Sequence, residues 1–201
     1  MSRYIGPRNK RARAIGQDLG LKTNSIKVAR RLTSGPGQHG AKQRRKTSDY
    51  GIQLKEKQKL KFIYGITERT LRKAYETATQ STESTGEQLL SLLERRLDNV
   101  IYRLGWAPTR AAARQLVSHR HVQVNAKKMN IASYLCQIDD VVTITKKGLG
   151  IPQIEVMVKE ELQQPAWLQK KATVGKLARF PERLEITEAI EEQLVVEYYS
   201  R

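Results

Sequence analysis

Cysteine is nearly missing from this chain: one residue, Cys136, among 201. That excludes an intramolecular disulfide and a multi-cysteine zinc site. The apolar stretch around Cys136 suits a small buried core residue better than a reactive thiol. Long apolar runs are missing as well. No stretch of 18 apolar residues occurs, so no membrane-spanning helix is expected. The opening Met-Ser-Arg-Tyr-Ile-Gly-Pro has no apolar region of the kind a secretory signal needs, and the first stretch is too poor in Ser to suggest a transit peptide. Acidic residues are also short, 20 against 37 Lys and Arg, which leaves a net charge of +17. An excess this large points to a polyanionic partner. With nothing to favour a membrane, a nucleic acid is the expected one.

The charge is unevenly spread. Residues 1–46 hold 13 Lys or Arg and one acid, Asp18. Residues 47–150 hold 17 bases and 10 acids, and residues 151–201 hold 7 bases and 9 acids. The first segment is rich in Gly and has few large apolar residues, without a clear period. Alone it cannot offset its ordering entropy. It reads either as a solvated tail or as an arm that orders against phosphate. Tyr4 and the repeated Arg residues favour the arm, because they can stack and can grip phosphate bidentately. Ser34-Gly-Pro-Gly-Gln-His-Gly40 lacks the Gly-Lys-Ser/Thr ending and the preceding strand of a nucleotide-binding loop. It is expected to be a turn that brings backbone N–H groups near RNA phosphate.

From Tyr50 the pattern turns helical. Leu54, Lys57, Leu60, Lys61 and Tyr64 share a face, and Gly65 ends the run. Lys55, Lys57, Lys59 and Lys61 are spread around that helix. Thr67 is expected to cap a second helix. Thr85 with Gln88 forms a capping box, followed by Leu89, Leu90, Leu93, Leu97, Val100, Ile101 and Leu104 at helical period. This is one helix or two meeting near Glu94. After Gly105, Thr109 caps a short helix that sets Arg110 and Arg114 on one face. Residues 110–121 hold three Arg, two His and a Gln but no acid, which favours phosphate contact over ordinary solvation. Val122 and Val124 mark a strand, Val141 to Thr145 a second, and Ile154, Val156 and Val158 a third, with a weaker one near residues 173–180. A helical stretch with Ile186, Ile190 and Leu194 closes the chain.

Several motifs carry a resemblance. Arg96-Leu-Asp-Asn99, Tyr102-Arg-Leu-Gly105, Thr109-Arg110, Ala113-Arg-Gln-Leu-Val-Ser-His119 and His121-Val-Gln-Val-Asn125 resemble the RNA-binding module named after the fourth protein of the small ribosomal subunit. The flanks resemble the rest of that ribosomal family, in its bacterial or plastid branch: Arg3-Tyr-Ile-Gly-Pro7, Pro36-Gly-Gln-His-Gly40, Ser48-Asp-Tyr-Gly51, Glu56-Lys-Gln-Lys59, Thr85-Gly86 and Val196-Glu-Tyr-Tyr-Ser-Arg201. Two positions depart. Arg120 stands where the family usually has Gly, and Ala126 stands where Asn-Gly is usual at the hairpin turn. Ala disfavours the positive φ of a type I′ turn, so another turn form is expected.

The resemblance implies an α+β fold. A basic extended arm (1–46) would precede a helical domain (47–93, completed by 183–201). An inserted RNA-binding module with an antiparallel sheet would fill 94–182. It implies a structural constituent of the small ribosomal subunit rather than an enzyme. Such a protein binds a multi-helix junction in the 5′ domain of small-subunit rRNA early in assembly. Beside the neighbouring fifth ribosomal protein, where mRNA enters, it also contributes to translational accuracy. No cofactor, metal, membrane or homo-oligomer is expected. An RNA-modifying enzyme would need a catalytic domain, and the residues after Ile151 leave no room for one. A free RNA chaperone is the other alternative.

The expected RNA contacts in the arm are Arg3, Tyr4, Arg8, Lys10, Arg11, Arg13, Arg44, Arg45 and Lys46. Those in the helical domain are Tyr50, Lys55, Lys57, Lys59, Arg69 and Arg72, with Tyr64 as either a stacker or a core residue. In the module they are Arg95, Arg96, Asn99, Arg103, Arg110, Arg114, Gln115, His119 and His121. The Ile66-Thr-Glu-Arg-Thr-Leu71 stretch and the Glu-Tyr-Tyr-Ser-Arg ending suggest a plastid source, with a cyanobacterial-like bacterium as the alternative.

Overall fold

The computed structural model describes residues 4–40, 47–160 and 164–201. It divides into two compact units, Met1–Leu89 with Glu188–Arg201, and Leu90–Thr187. The expected contacts Arg3, Arg44, Arg45 and Lys46 lie outside the described residues.

In the first unit the basic front is helical over α1 (Arg8–Ile15) and α2 (Ser25–Ala29) where an extended arm was expected. It also buries an apolar set, Ala12, Ile15, Leu19 and Val28. These four are too few and too irregularly spaced to register as a pattern, yet each removes apolar surface from water. Asn24 caps α2 by accepting from the Lys27 N–H. The Ser34–Gly40 loop closes on itself: the Gly35 N–H donates to Gly40 O and the Gly40 N–H to Gly37 O. Arg13 donates to Ser34 O at 2.9 Å and Gly35 O at 2.8 Å. The loop's N–H groups at 35 and 40 are thus engaged within the loop, not held out for phosphate.

Ser48 caps α3 (Asp49–Ile63) and Thr67 caps α4 (Glu68–Thr79). α5 (Thr85–Glu94) begins at Thr85 itself, so Thr85 is its first residue and not the expected cap, and the Gln88 N–H donates to Ser84 O.

The second unit opens on the end of α5, then α6 (Leu97–Arg103) and α7 (Arg110–Ser118), which pack together. Arg95 and Arg96 separate α5 from α6, so the long apolar stripe is two helices. β1 (Val122–Val124), β2 (Lys127–Met129) and β3 (Val141–Ile144) follow, then α8 (Lys146–Leu149) and α9 (Pro152–Lys159). β4 (Leu168–Lys171) and β5 (Val174–Leu177) complete an antiparallel sheet of order β2-β1-β3-β5-β4. Its core joins Leu97, Ile101 and Leu104 to Val122, Val142, Trp167 and Leu177.

The strand expected at Ile154, Val156 and Val158 is instead α9. Pro152 sits in its first turn, where its fixed φ is suited to a helix. Ile154 and Val158, four apart, face the core while Val156 is 58% exposed. A strand would have put all three on one face. β4 has no β-branched residue to announce it. The closing helix is shorter than expected. Ile186 and Ile190 are buried outside any α-helix, and only α10 (Glu192–Tyr199), back in the first unit, is α-helical. There it packs on α3.

The β1–β2 turn also differs from expectation. Val124 pairs with Lys127, leaving Asn125 (φ 49°) and Ala126 (φ 64°) as a two-residue loop with both residues left-handed. That is the type I′ pattern despite the Ala. Asn125 is held from outside the turn. Its side chain donates to Asp140 Oδ1 at 2.7 Å and accepts from the Val141 N–H at 2.9 Å. These two bonds anchor the turn and carry Ala126 into a conformation it does not prefer.

Candidate nucleic-acid interface

α7 and the strand after it are joined by one tight turn. The Arg120 N–H donates to Val117 O and the His121 N–H to Leu116 O, with Arg120 at φ 62°. This is a Schellman ending. α3 and α6 end the same way, with Gly65 (φ 62°) and Gly105 (φ 71°) at the left-handed position. Arg120 therefore fills a backbone site that two sister turns give to glycine. The turn throws His119 and His121 outward, ring centroids 6.1 Å apart. The Thr145 N–H donates to His121 O at 2.9 Å, which brings Lys146 and Lys147 of α8 beside them. Gln115, His119, Arg120, Lys146 and Lys147 are all exposed. No carboxylate among the described residues pairs with Arg120, Lys146 or Lys147. Lys127 and Lys128 are exposed on β2. Of these cations, only Arg120 fell in a stretch, 110–121, that the sequence pointed to phosphate, and none was among the expected contacts. Two Lys-Lys pairs beside predicted strand ends were the available signal.

The other expected module contacts are turned inward. Glu94 is fully buried. Its carboxylate accepts from Arg103 Nη2 at 2.7 Å and Nε at 2.8 Å, and from Asn99 Nδ2 at 2.6 Å. Arg110 Nε donates to Asn99 Oδ1 at 2.7 Å, and its guanidinium lies over the Tyr102 ring. Arg96 grips Asp98 through two bonds, at 3.1 and 2.9 Å, and Arg114 Nη1 lies 3.7 Å from the same carboxylate. The side chains of Arg96, Arg103, Arg110 and Arg114 are only 6, 10, 11 and 18% exposed. Arg95 donates to Cys136 O and Gln137 and covers the Phe180 ring. Burial draws its pKa below the usual guanidinium value. Burial likewise raises the Cys136 thiol to about 12, so it stays protonated and inert.

Several expected contacts of the first unit are internal too. Lys57 is buried, donates to Glu68 at 2.7 Å and lies over the Tyr198 ring. Lys61 donates to Glu68 at 2.9 Å, and Lys59 is buried against Glu56 at 3.0 Å. Partial burial works to raise the Glu68 carboxyl pKa. Hydrogen bonds from Lys57, Lys61 and Tyr199 outweigh that and hold it at about 2. Tyr64 is core, 3% exposed. Tyr4 is exposed under the Arg11 guanidinium, 3.5 Å from its centroid, and Tyr50 lies 5.8 Å from Tyr198. Arg8, Lys10, Lys55, Arg69 and Arg72 are exposed, as are Lys22, Lys27, Arg30 and Arg31, which sequence reading passed over. Arg72 pairs with Glu76 across one helical turn. Among the described residues no group of acids, His and Cys could hold a metal ion.

Comparison with known proteins adds a family to this geometry. Residues 3–94 match the family described as ribosomal protein S4/S9 N-terminal domain, and residues 95–142 match the S4 domain. Small ribosomal subunit protein uS4 of Thioalkalivibrio sulfidiphilus is 48% identical over the whole of both chains. Small ribosomal subunit protein uS4B of Nitrosomonas europaea is 50% identical over all of this chain and 98% of its own. Small ribosomal subunit protein uS4 of Parabacteroides distasonis is 47% identical over the whole of both.

Proposed function

Because the chain belongs to the small ribosomal subunit protein uS4 family, we propose that it is a non-catalytic, rRNA-binding constituent of the small subunit. The observation that carries this is the exposed cationic edge of the second unit, at Arg120, Lys146 and Lys147. It sits beside a sheet-and-helix body whose Arg96, Arg103, Arg110 and Arg114 are held around Glu94 and Asp98. A body rigid in this way selects a site by shape, since the deep groove of A-form RNA excludes side chains. The exposed cations supply affinity by displacing condensed counterions.

The finer reading rests on the family resemblance and the charge pattern. The target is a multi-helix junction in the 5′ domain of small-subunit rRNA, where converging strands concentrate phosphate, and binding comes early in assembly. Its partners are other small-subunit proteins, above all the neighbouring fifth, and mRNA where it enters, with an influence on accuracy. The Ile66–Leu71 stretch and the terminal Tyr-Tyr-Ser-Arg support a plastid small subunit, the named relatives being bacterial. The expected contacts are the exposed Tyr4, Arg8, Lys10, Tyr50, Lys55, Arg69, Gln115 and His119. We add Lys22, Lys27, Arg30, Arg31, Arg120, Lys146 and Lys147.

Filter binding to a small-subunit 5′-domain fragment tests this. Neutralising about eight phosphates gives a log–log salt slope of roughly −6 to −7. Changing Lys22, Lys27, Arg30 and Arg31 together to Gln should flatten it by up to about 3.6, at roughly 0.7 to 0.9 per lost phosphate contact. A slope unchanged by the fourfold variant removes these four cations from the interface. Failure to co-sediment with small subunits removes the ribosomal role.

A further inference from the structure

His119 and His121 flank Arg120 in the turn between α7 and β1, with their ring centroids 6.1 Å apart. Both side chains face one space, since both line a cleft with Trp106, Leu116, Ile151 and Gln153. None of the described residues lining that cleft is a carboxylate. The elements packed around the pair add no acid. α7 supplies Gln115, and its Arg114 is turned to Asp98, 3.7 Å away. α8 supplies Lys146 and Lys147, drawn in by the bond from the Thr145 N–H to His121 O. Gly148 of α8 packs so close that a Cβ there would come within 3.1 Å of the His121 Cβ and carbonyl oxygen. α9 supplies Gln153, while its Glu155 is paired with Lys159 at 2.7 Å. A metal ion would need further ligands, and among the described residues no group of acids, His and Cys provides them.

We propose that His119 and His121 together hold one phosphate of the bound RNA as imidazolium donors, so that binding takes up protons. Charge-assisted N–H···O bonds run about 2.7–2.9 Å, so two rings at this separation both reach oxygens of a single phosphate. A protonated imidazole donates from both nitrogens and accepts nowhere. Here the surrounding elements offer it no carboxylate, so an anion from outside is the partner its charge calls for. An anion beside an imidazole favours the charged form, and imidazole is the side chain whose ordinary charge change falls between pH 5 and 8. A phosphodiester stays anionic across that window. Affinity is therefore highest at low pH and falls as pH rises. The composition makes the effect traceable. The chain has three His, at 39, 119 and 121, and burial raises the Cys136 thiol to about 12, out of the window. The proposal rests on the rRNA-binding reading and deepens it by linking that binding to protons at one phosphate.

Filter binding of the full chain to the 5′-domain fragment at pH 6 and pH 8, at one ionic strength, tests this. The parent should lose about tenfold in affinity between the two, the effect of about one hydrogen bond to a charged group. Its salt slope should be steeper at pH 6, by roughly 0.7 to 0.9 for each charged imidazole on phosphate. The double variant His119→Gln with His121→Gln keeps a side-chain donor but takes up no proton, and it should bind equally at both pH values. His39→Gln should keep the parent's pH dependence. A parent whose affinity changes less than twofold overturns the proposal. So does a double variant that keeps the parent's dependence, or a His39→Gln variant that loses it. A second arm does not depend on rRNA. Sulfate, whose charge is constant over this range, titrated into the full chain carrying ¹⁵N-labelled histidine should move the ring signals of His119 and His121 more at pH 6 than at pH 8. No movement of either signal at pH 6 overturns the proposal. Rings that respond to sulfate in a chain that binds the rRNA fragment at neither pH keep the anion site and sink the ribosomal reading instead.

Discussion

Arg120 holds a backbone position that disfavours it. A non-glycine residue in the left-handed region carries roughly 1–3 kcal/mol of strain, and the turns after α3 and α6 avoid this by using Gly65 and Gly105. Strain of this kind persists where surrounding structure enforces it, and it clusters at functional sites. Arg120→Gly should therefore raise stability by about 1 kcal/mol, read from the urea midpoint at constant m, and weaken rRNA binding. A variant that gains stability and binds as well as the parent would show that the Arg side chain does nothing at the interface. Ala126 differs. It lies in the same backbone region, yet its side chain offers no contact, and its conformation follows from the two bonds that hold Asn125.

At the scale of elements, Glu94 decides how the end of α5 meets α6 and α7. One carboxylate receives Arg103 and Asn99, and Asn99 in turn receives Arg110. Removing it leaves those cations buried without their counter-charge. Breaking a buried pair from one side costs about 3–5 kcal/mol. Glu94→Ala should lower the unfolding free energy by that amount in urea titration, a large share of the 5–15 kcal/mol typical of a folded chain. A loss under about 1 kcal/mol would mean that water reaches the cluster and screens it. The same network explains why Arg-rich helices with few acids nearby in sequence were misleading. Glu94 is 16 residues from Arg110 in sequence and beside it in space. Periodicity places residues on a face but does not say whether that face meets solvent or a carboxylate.

For the whole molecule, acid is the condition that tests the fold. The chain carries +17 at neutrality, and each carboxylate that protonates adds to self-repulsion. In the first unit Glu68 ties α3 to α4 and α10, through Lys57, Lys61 and the Tyr199 hydroxyl at 2.8 Å. Its folded pKa of about 2 lies below the ordinary 4.5. The stabilisation is therefore complete above about pH 4.5 and is lost as pH falls through 2. Unfolding free energy measured from pH 6 to 2 should decline more steeply in the parent than in Glu68→Gln, with the difference confined to that window. Parallel curves would show that the Lys57–Glu68–Tyr199 cluster does not form.

The sequence alone determined the class of partner, because charge imbalance needs no fold to be read. It also determined the helix starts at Thr67 and Thr109, where the cap is a local event within four residues. Motif order along the chain was enough to point to the family. Tertiary structure alone decided which cations face outward. The lone Cys136, the absent apolar spans and the scarcity of acids promised a chain with little but positive charge to use. Folding pairs many of those charges internally, on Glu94, Asp98 and Glu68. It leaves Arg120, Lys146 and Lys147 exposed beside a cleft built from residues 106 to 154, a stretch no sequence window spans. Non-local contacts set burial, and burial decides whether an Arg meets a protein carboxylate or remains available to a phosphate.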